Sequence, residues 1–328
     1  RGLGDVYKRQ IIREVILMNN KKMMAGLLTA GLLLVPNAAL AESTDVNLIV
    51  NDTYVVSSEA EGQVYINDAG RTMIPLRLVS ETLDYETNWQ PDGSIQITSA
   101  DGTVDVTLQI GSTAYTAGGE AGTFETAPTL KNDRAYLPAR DFTELYGSIY
   151  WDNDTRMVWI ENRETPTYRV LGNNMLRADA DGIAPVTMPE GYEVSSLGKP
   201  DRVASQRIID GTGYVAINYN MNHSQQCPLF RDDGDHMTYL ATINGSASFW
   251  VVGDTIYHTA GTGAGPWSEY LEPNQLYKTT IGDEATTTSC DVGFAINACT
   301  ISVEDGVLTA VDGSGSVHEV NLSECAFT

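Results

Sequence analysis

The sequence predicts an α+β N-terminal module, built from two copies of small sheets plus one short helix, followed by an all-β C-terminal domain. The first observation is an internal repeat: the segment from Gly70 to Trp89 is written again between Asn132 and Trp151. The second is that short alternating apolar runs surround both copies, as strands require. The third is the region after residue 164, where short β-rich runs alternate with Gly and Asp turns and no helical period is present.

The repeat defines the organisation of the first module. A duplicated segment of this kind predicts a duplicated structural unit. Its landmark residues correspond as follows: Pro75 with Pro138, Arg77 with Arg140, Glu81 with Glu144, and Trp89 with Trp151.

Each copy predicts strands, one helix and a hairpin entered by tryptophan. Turn signals predict hairpins over 46–56 and 63–74. Pro75 suits the first turn of the following helix, where its missing N–H would have no partner. Trp89 is expected to open the next hairpin.

The second copy repeats this order. Alternating residues predict a strand over 104–110 and another over 135–137. Pro138 is expected to begin a helix that ends at Gly147, a residue type common at helix C-termini. Trp151 then leads into a strand over 157–160.

The first 41 residues are expected to be absent from the working protein. Residues 1–17 resemble sequence added by read-through or by an error of sequence assembly. Translation is therefore expected to start at Met18. Residues 18–41 have the basic start, apolar stretch and small-x-small site of a secretory signal peptide. The apolar stretch is shorter than the roughly 20 residues that span a bilayer. We therefore expect cleavage near Ala41, no transmembrane segment afterwards, and a secreted or envelope-associated protein.

The chain is strongly acidic. It has 20 Lys+Arg and 43 Asp+Glu residues, of which six basic and two acidic residues precede position 42. The remainder carries 14 basic and 41 acidic groups, a net charge of −27. So negative a protein would repel phosphate backbones, which argues against a nucleic-acid partner.

The two phased segments, Arg-Thr-Met-Ile-Pro-Leu-Arg at 71–77 and Leu-Pro-Ala-Arg at 137–140, are each followed by a Glu and a Trp. In this they resemble the copper amine oxidase N-terminal-like domain, the stalk module of many exported Gram-positive proteins. The resemblance covers residues 46–161, within a module expected at 42–163. It implies an α+β spacer or envelope-associated domain that is attached to varied partners.

The resemblance does not imply oxidase activity. The catalytic domain of those enzymes makes its quinone from a tyrosine in a Thr-x-x-Asn-Tyr-acidic context and binds copper through three histidines, two of them in a His-x-His pair. The nearest segment here, Val215 to Asn220, lacks the threonine and the acid. The histidines contain no such pair: His223, His236, His258 and His318.

Arg77 and Arg140 are candidate ligand-binding residues. Matched arginines suit the carboxylates or phosphates of a wall polymer. Alternatively, each arginine ties its helix to a neighbouring carbonyl or carboxylate, and their presence in both copies favours this structural role.

Four cysteines lie in the second half: Cys227, Cys290, Cys299 and Cys325. In an oxidising compartment they predict two disulfides, with three possible connectivities. Cys290 with Cys299 is the most local choice, which leaves Cys227 for Cys325. A metal site is the alternative, but no pair has C-x-x-C spacing.

The second module is expected at 164–328, after a linker near 162–166. Its sequence contains a weak internal repeat of three units. It loosely resembles exported β-propeller-like domains. Closed propellers need at least four blades. Three repeat units therefore indicate a truncated propeller, a partial propeller or a β-sandwich.

Two kinds of ligand site are candidates in this module. The clusters at Asp179–Gly182 and Asp232–Asp235 offer carboxylates for calcium. However, Asp-Gly is also a common sequence in the turns of β-hairpins. Neither begins a twelve-residue loop that ends in Glu. Trp267 follows the Gly-rich segment 261–265 and is the aromatic residue best placed to bind a ligand.

The sequence leaves two functions open. No Gly-x-Ser-x-Gly, His-Glu-x-x-His, P-loop or dinucleotide-binding glycine pattern is present. We therefore expect a non-catalytic exported cell-envelope protein without a cofactor, in which the stalk presents a β-rich domain to a wall polymer, a peptide or a surface protein. The alternative is a secreted hydrolase that acts on polysaccharide through a glycosidase-type carboxylate pair.

Overall fold

The computed structural model describes residues 46–55, 62–194, 203–217, 226–244, 248–260, 272–282 and 285–328. All of them belong to one compact unit that spans residues 45–328. The expected leader, residues 1–41, lies outside the described residues. Within the described ranges, no helix combines the length and the apolar character needed to cross a membrane.

The first module is made of short strands and two short helices. Its strands are β1 (Asn47–Val50), β2 (Thr53–Val55), β3 (Tyr65–Ile66), β4 (Thr72–Pro75), β5 (Tyr85–Trp89), β6 (Ser94–Ser99), β7 (Asp105–Gln109), β8 (Ala114–Ala117), β9 (Glu120–Thr123), β10 (Thr129–Lys131), β11 (Arg134–Pro138), β12 (Ser148–Asp152) and β13 (Met157–Glu161). Helix α1 (Leu76–Thr82) follows β4, and a 3₁₀ turn (Ala139–Phe142) with helix α2 (Thr143–Tyr146) follows β11.

The two copies of the repeat meet in one sheet of order β10-β11-β4-β3. Its central strands pair antiparallel, with Ile74 opposite Leu137, Pro75 opposite Tyr136 and Met73 opposite Pro138. Since Ile74 and Leu137 are equivalent residues of the repeat, this register relates the copies by a local twofold axis. Both side chains are fully buried in the core of the module.

The remaining strands of this module form two further sheets. Strands β5 to β9 make a five-stranded antiparallel meander, and the other sheet has the order β12-β13-β1-β2. Strand β1 pairs in parallel with β13, so the start of the module is held by its end. The predicted α+β class is thereby confirmed.

Three local predictions can be compared with the structure, and one of them needs correction. Pro75 is the residue before α1 and has extended backbone, with φ −69° and ψ 119°, so it ends β4 instead of occupying the first helical turn. Trp89 ends β5 opposite Ile95 and thus enters the turn of the predicted hairpin, so this prediction is confirmed. Trp151 lies inside β12.

In the described residues, the second module consists of small antiparallel sheets with a 3₁₀ turn at Ile296–Ala298. Its strands are β14 (Thr167–Leu171), β15 (Asn174–Asp179), β16 (Gly182–Val186), β17 (Val203–Ile209), β18 (Thr212–Ile217), β19 (Gln226–Asp232), β20 (Met237–Asn244), β21 (Phe249–Val252), β22 (Thr255–Thr259), β23 (Gln275–Thr280), β24 (Thr287–Asp291), β25 (Thr300–Glu304), β26 (Val307–Val311) and β27 (Val317–Asn321). They group in chain order into the sheets β14–β16, β17–β20, β21–β24 and β25–β27. The predicted all-β class is confirmed.

The arrangement of these sheets is blade-like. The first strands of consecutive sheets contact one another, β14 with β17, β17 with β21 and β21 with β25. Successive meanders whose first strands meet are the pattern of propeller blades. The described residues thus contain four such sheets, whereas the internal repeat in the sequence indicated three units.

A shared apolar cluster joins the two modules. It contains Ile49 and Trp159 of the first module together with Leu171 and Leu176 of the second. The buried guanidinium of Arg169 lies 5.3 Å from the centre of the Trp159 ring. The expected linker therefore lies beside a packed interface.

Ion pairs reinforce this junction from the linker itself. Arg163 donates to the buried carboxylate of Glu161 through Nε at 2.7 Å, and also pairs with Asp52. Hydrogen bonding from Arg163 lowers the pKa of Asp52. Asp52 also lies 3.4 Å from Arg169 of the second module, so this group of charges spans the boundary.

A buried polar network links the first two sheets of the second module. The Tyr168 hydroxyl donates to Asp232 Oδ2 at 2.6 Å, and Arg177 pairs with the same carboxylate at 3.2 Å. The Tyr168 ring crosses β18 at Gly213, where an added Cβ would lie 1.8 Å from the hydroxyl oxygen. Only glycine leaves room for this hydroxyl.

We expect Gly213→Ala to lower the free energy of unfolding by about 1–3 kcal/mol, the usual range for an overpacked core. Chemical denaturation monitored by circular dichroism measures this loss. Gly313→Ala is the matched control, because an added Cβ there meets nothing within 4 Å. Equal stability of the two variants would show that Tyr168 does not occupy this position.

A buried histidine lies in the third sheet. His258 Nε2 is 2.9 Å from the Thr279 hydroxyl, and the His258 ring stacks on Tyr277 at 5.3 Å between centroids. Burial lowers the pKa of His258 from 6.5 to about 4. The unfolded chain therefore binds a proton in a pH range where the folded chain does not.

This difference predicts that stability is lost as the pH falls. Between pH 7 and pH 5.5 the unfolded state gains the proton, so His258 alone reduces the free energy of unfolding by about 1 kcal/mol. Urea denaturation at both pH values, on the natural chain and on His258→Gln, measures the effect. The variant should lose less stability across this interval. An unchanged pH slope in the variant would contradict a neutral buried His258.

Candidate functional site

Two equivalent cavities lie on the first module. The first, of about 380 Å³, is lined by residues that include Pro75, Arg77, Trp89 and Arg134. The second, of about 410 Å³, is lined by residues that include Pro138, Arg140, Trp151 and Arg71. Each cavity thus contains the Pro-x-Arg segment and the tryptophan of one copy, together with an arginine of the other copy.

The strand register explains why the arginines cross between copies. Strand β4 runs antiparallel to β11 with Pro75 opposite Tyr136. The beginning of β11, at Arg134, therefore lies beside the end of β4 and the start of α1. By the same pairing, Arg71 lies beside the end of β11. Each cavity consequently receives two arginines, Arg77 with Arg134 and Arg140 with Arg71.

The predicted arginines are exposed at the cavity walls and make long ion pairs. Arg77 Nε lies 3.9 Å from Glu81 on the same helix, and 58% of the Arg77 side chain is exposed. Arg140 lies 3.6 Å from Glu125 and its side chain is 80% exposed. Exposed pairs of this length contribute little to stability. Both guanidinium groups are accessible to a ligand.

The cavities differ at several equivalent positions, and one of these differences places a carboxyl group in the second cavity. Leu78 lines the first cavity and Asp141 lines the second. Asp141 is buried, and its Oδ1 accepts a hydrogen bond from the Glu125 amide at 2.8 Å. Burial is the main cause that raises the pKa of Asp141. At this position the second cavity therefore has a buried carboxyl group where the first has an apolar side chain.

Each tryptophan presents an aromatic wall. Trp89 is 45% exposed, an unusual exposure for so large an apolar side chain, and the buried Ile95 opposite it also lines the first cavity. Trp151 is half-buried in the second cavity. An accessible indole beside guanidinium groups suits a ligand with both an apolar face and an anionic group.

Arg71 and Arg134 were missed as site residues from the sequence. They occupy equivalent positions of the two copies, four residues before Pro75 and Pro138. The repeat alignment contained this signal. Their placement opposite the other copy depends on the pairing of β4 with β11.

The cysteines are thiols in this structure. Cys227 belongs to one apolar cluster, and Cys290, Cys299 and Cys325 belong to another. Neither of the expected disulfides, Cys290–Cys299 and Cys227–Cys325, is present in this structure. Trp267 lies outside the described residues.

The Asp-rich clusters contact arginines. Asp179 and Asp232 both pair with Arg177, at 2.8 and 3.2 Å, while Asp233 pairs with Arg231 at 2.7 Å. Asp179 and Asp232 also accept amide hydrogen bonds within their own turns. In the part of the chain that the structure describes, no group of three or more His, Cys, Asp or Glu residues is arranged for a metal ion.

Solved structures resemble the chain only distantly. PorZ of Porphyromonas gingivalis, described as a surface component of the type-IX secretion system, has 8% identity and a TM-score of 0.28; the match covers 76% of this chain and 31% of PorZ. Regucalcin from Agrobacterium tumefaciens, described as calcium-binding, has 10% identity and a TM-score of 0.24, with 84% and 79% covered. Virginiamycin B lyase from Staphylococcus aureus has 14% identity and a TM-score of 0.24, with 76% and 73% covered. Similarity at these TM-scores does not establish a shared fold or a shared function.

Sequence comparison identifies the first module. No curated protein matches the chain. A family model, described as the copper amine oxidase N-terminal domain, matches residues 49–160. This range contains both copies of the repeat and both cavities, and it confirms the resemblance expected from the Pro-x-Arg segments. This similarity is confined to residues 49–160, about a third of the chain.

Proposed function

We propose that this chain is a non-catalytic, exported cell-envelope protein whose first module binds an anionic wall polymer through the two cavities. The β-rich second module is then the domain that the bound stalk presents at the cell surface. The proposal rests on one observation: each of two cavities in a single domain is lined by two arginines and a tryptophan. Its expected signal peptide supplies the export route.

The chemistry of the cavities favours carboxylates or phosphates. Two guanidinium groups, Arg77 with Arg134 or Arg140 with Arg71, line each cavity. Guanidinium groups recognise such anions through paired, charge-assisted hydrogen bonds. The tryptophan beside them offers a face on which a sugar or peptide unit can pack.

The duplication favours a ligand that repeats. Two cavities with the same landmark residues on one rigid sheet suit a polymer that presents the same anionic group at intervals. Binding at the second cavity is then intramolecular, which raises the overall affinity without a new type of contact. A monomeric fragment of the polymer would gain no such benefit.

The acidic surface adds selectivity to this arrangement. A net charge of −27 after removal of the leader opposes general attraction of polyanions. An anionic polymer is therefore held only where arginines are clustered at short range. This explains how an acidic protein can bind an anionic ligand without binding nucleic acid.

Co-sedimentation with purified Gram-positive cell walls tests the proposal. We expect Arg77→Gln/Arg140→Gln to bind at least about tenfold more weakly, because each lost charge-assisted hydrogen bond is worth about 1.5–3 kcal/mol. Arg231→Gln/Lys278→Gln is the matched control, since it removes the same charge outside both cavities. Equal binding by the two variants would contradict the proposed site.

The source of the anion is distinguished in the same assay. Walls treated with hydrofluoric acid lose their phosphodiester polymers but keep peptidoglycan carboxylates. Binding that survives the treatment indicates carboxylates, and binding that disappears indicates phosphates. Release of reducing sugar from the walls would instead support the hydrolase alternative and overturn the non-catalytic assignment.

A single-cavity variant tests whether the two cavities act together. We expect Trp89→Ala to weaken binding to intact walls about tenfold or more, because the chain then holds the polymer through one cavity only. Binding of a short, single-unit wall fragment should fall no more than about twofold, since the second cavity is unchanged. Isothermal titration with the fragment and co-sedimentation with walls supply the two measurements. Equal losses for wall and fragment would contradict bivalent binding.

A further inference from the structure

Three of the four cysteines lie around the end of the chain. Cys290 is on β24, Cys299 follows a 3₁₀ turn at Ile296–Ala298, and Cys325 is in the C-terminal segment after β27. All three belong to one apolar cluster. Cys227 is buried in a different cluster with Leu229 and Phe249.

The C-terminal segment is held against β24. Ser289 and Thr328 exchange two backbone hydrogen bonds, with N···O distances of 3.2 and 3.1 Å. Phe327 packs near Tyr257, with 6.2 Å between ring centroids, and Lys278 Nζ lies 5.5 Å from the centre of the Phe327 ring. The segment thus has a fixed register on this sheet.

This register brings Cys325 beside Cys290. Cys325 packs against the apolar cluster that contains Cys290. Burial raises the pKa of Cys290, and the Cys325 thiol is close enough to raise it further. Cys299 is directed elsewhere, because its Sγ contacts the Ala295 carbonyl oxygen at 3.6 Å. The pair that is nearest in sequence is therefore different from the pair whose thiols interact.

We propose that Cys290 and Cys325 form a disulfide that fastens the C-terminal segment to β24, while Cys227 and Cys299 remain thiols. The site is a modification site at the edge of a sheet: β24 is the last strand of its sheet, and the segment covers part of that edge. Edge strands are commonly protected by such covering segments. The crosslink would make this protection permanent.

The reaction is an ordinary thiol–disulfide exchange. The more exposed Cys325 attacks a small-molecule disulfide such as glutathione disulfide, forms a mixed disulfide and releases one glutathione thiol. Cys290 then attacks the Cys325 sulfur, and the second glutathione leaves. The two protein thiols lose two protons and two electrons, and the glutathione disulfide is reduced to two thiols.

The buried thiol remains available for the second step. Burial and the neighbouring Cys325 raise the pKa of Cys290 to about 12. Cys290 is therefore protonated at neutral pH and reacts only with the sulfur beside it. Burial also raises the pKa of Cys227 to about 11, which slows reaction of that thiol with an outside oxidant.

Oxidation of the full chain with glutathione disulfide tests the proposal. Free thiols are then blocked with iodoacetamide, and the protein is cleaved with Glu-C and Asp-N and analysed by mass spectrometry. Cleavage before Asp291 and after Glu324 separates all three C-terminal cysteines. We expect one linked peptide pair, Cys290 with Cys325, and alkylated Cys227 and Cys299.

Cysteine variants provide the controls. Cys227→Ser/Cys299→Ser should still lose two hydrogen atoms on oxidation, and its Tm should rise by a few degrees relative to its reduced form. Cys325→Ser should show neither change. Under reducing conditions its Tm should equal that of the natural chain. A Cys290–Cys299 or Cys227–Cys325 link in the natural chain, or no link after oxidation, would overturn the proposal.

Discussion

The antiparallel pairing of β4 with β11 determines the geometry of the first module. The pair is centred on Ile74 and Leu137, two fully buried residues that are equivalent in the repeat. Because each strand leads directly into a helical segment, the pairing places both helical segments and both Pro-x-Arg motifs in equivalent settings. The two cavities result from this one register, and a slip of one residue would turn their arginines to the other face of the sheet.

The first module is also attached firmly to the second. Trp159, Arg169 and the Arg163 ion pairs form a packed junction at the expected domain boundary. A spacer with this junction holds the second module in a defined orientation instead of on a free tether. This suits the proposed role of a stalk, in which polymer bound at the cavities sets the position of a β-rich domain.

The buried polar groups of the second module serve mainly to join its sheets. Tyr168, Asp232 and Arg177 form a network between the first two sheets, and Gly213 leaves the space that the tyrosine needs. The Asp-Gly clusters use their carboxylates in these contacts and in their own turns. Acidic residues at these turns are thus explained by packing and turn geometry, while His258 makes the third sheet sensitive to pH.

The sequence by itself determined both helical segments and several strands of the first module, and the equivalence of Pro75 with Pro138 and Arg77 with Arg140. Helical and strand periods and an internal repeat are local properties of the chain. It also determined the all-β class of the second module. Only the tertiary structure decided that Arg134 joins Arg77 and that Cys325 meets Cys290. Both contacts depend on the pairing of segments distant in sequence, and such a register is set by the packing of the whole core.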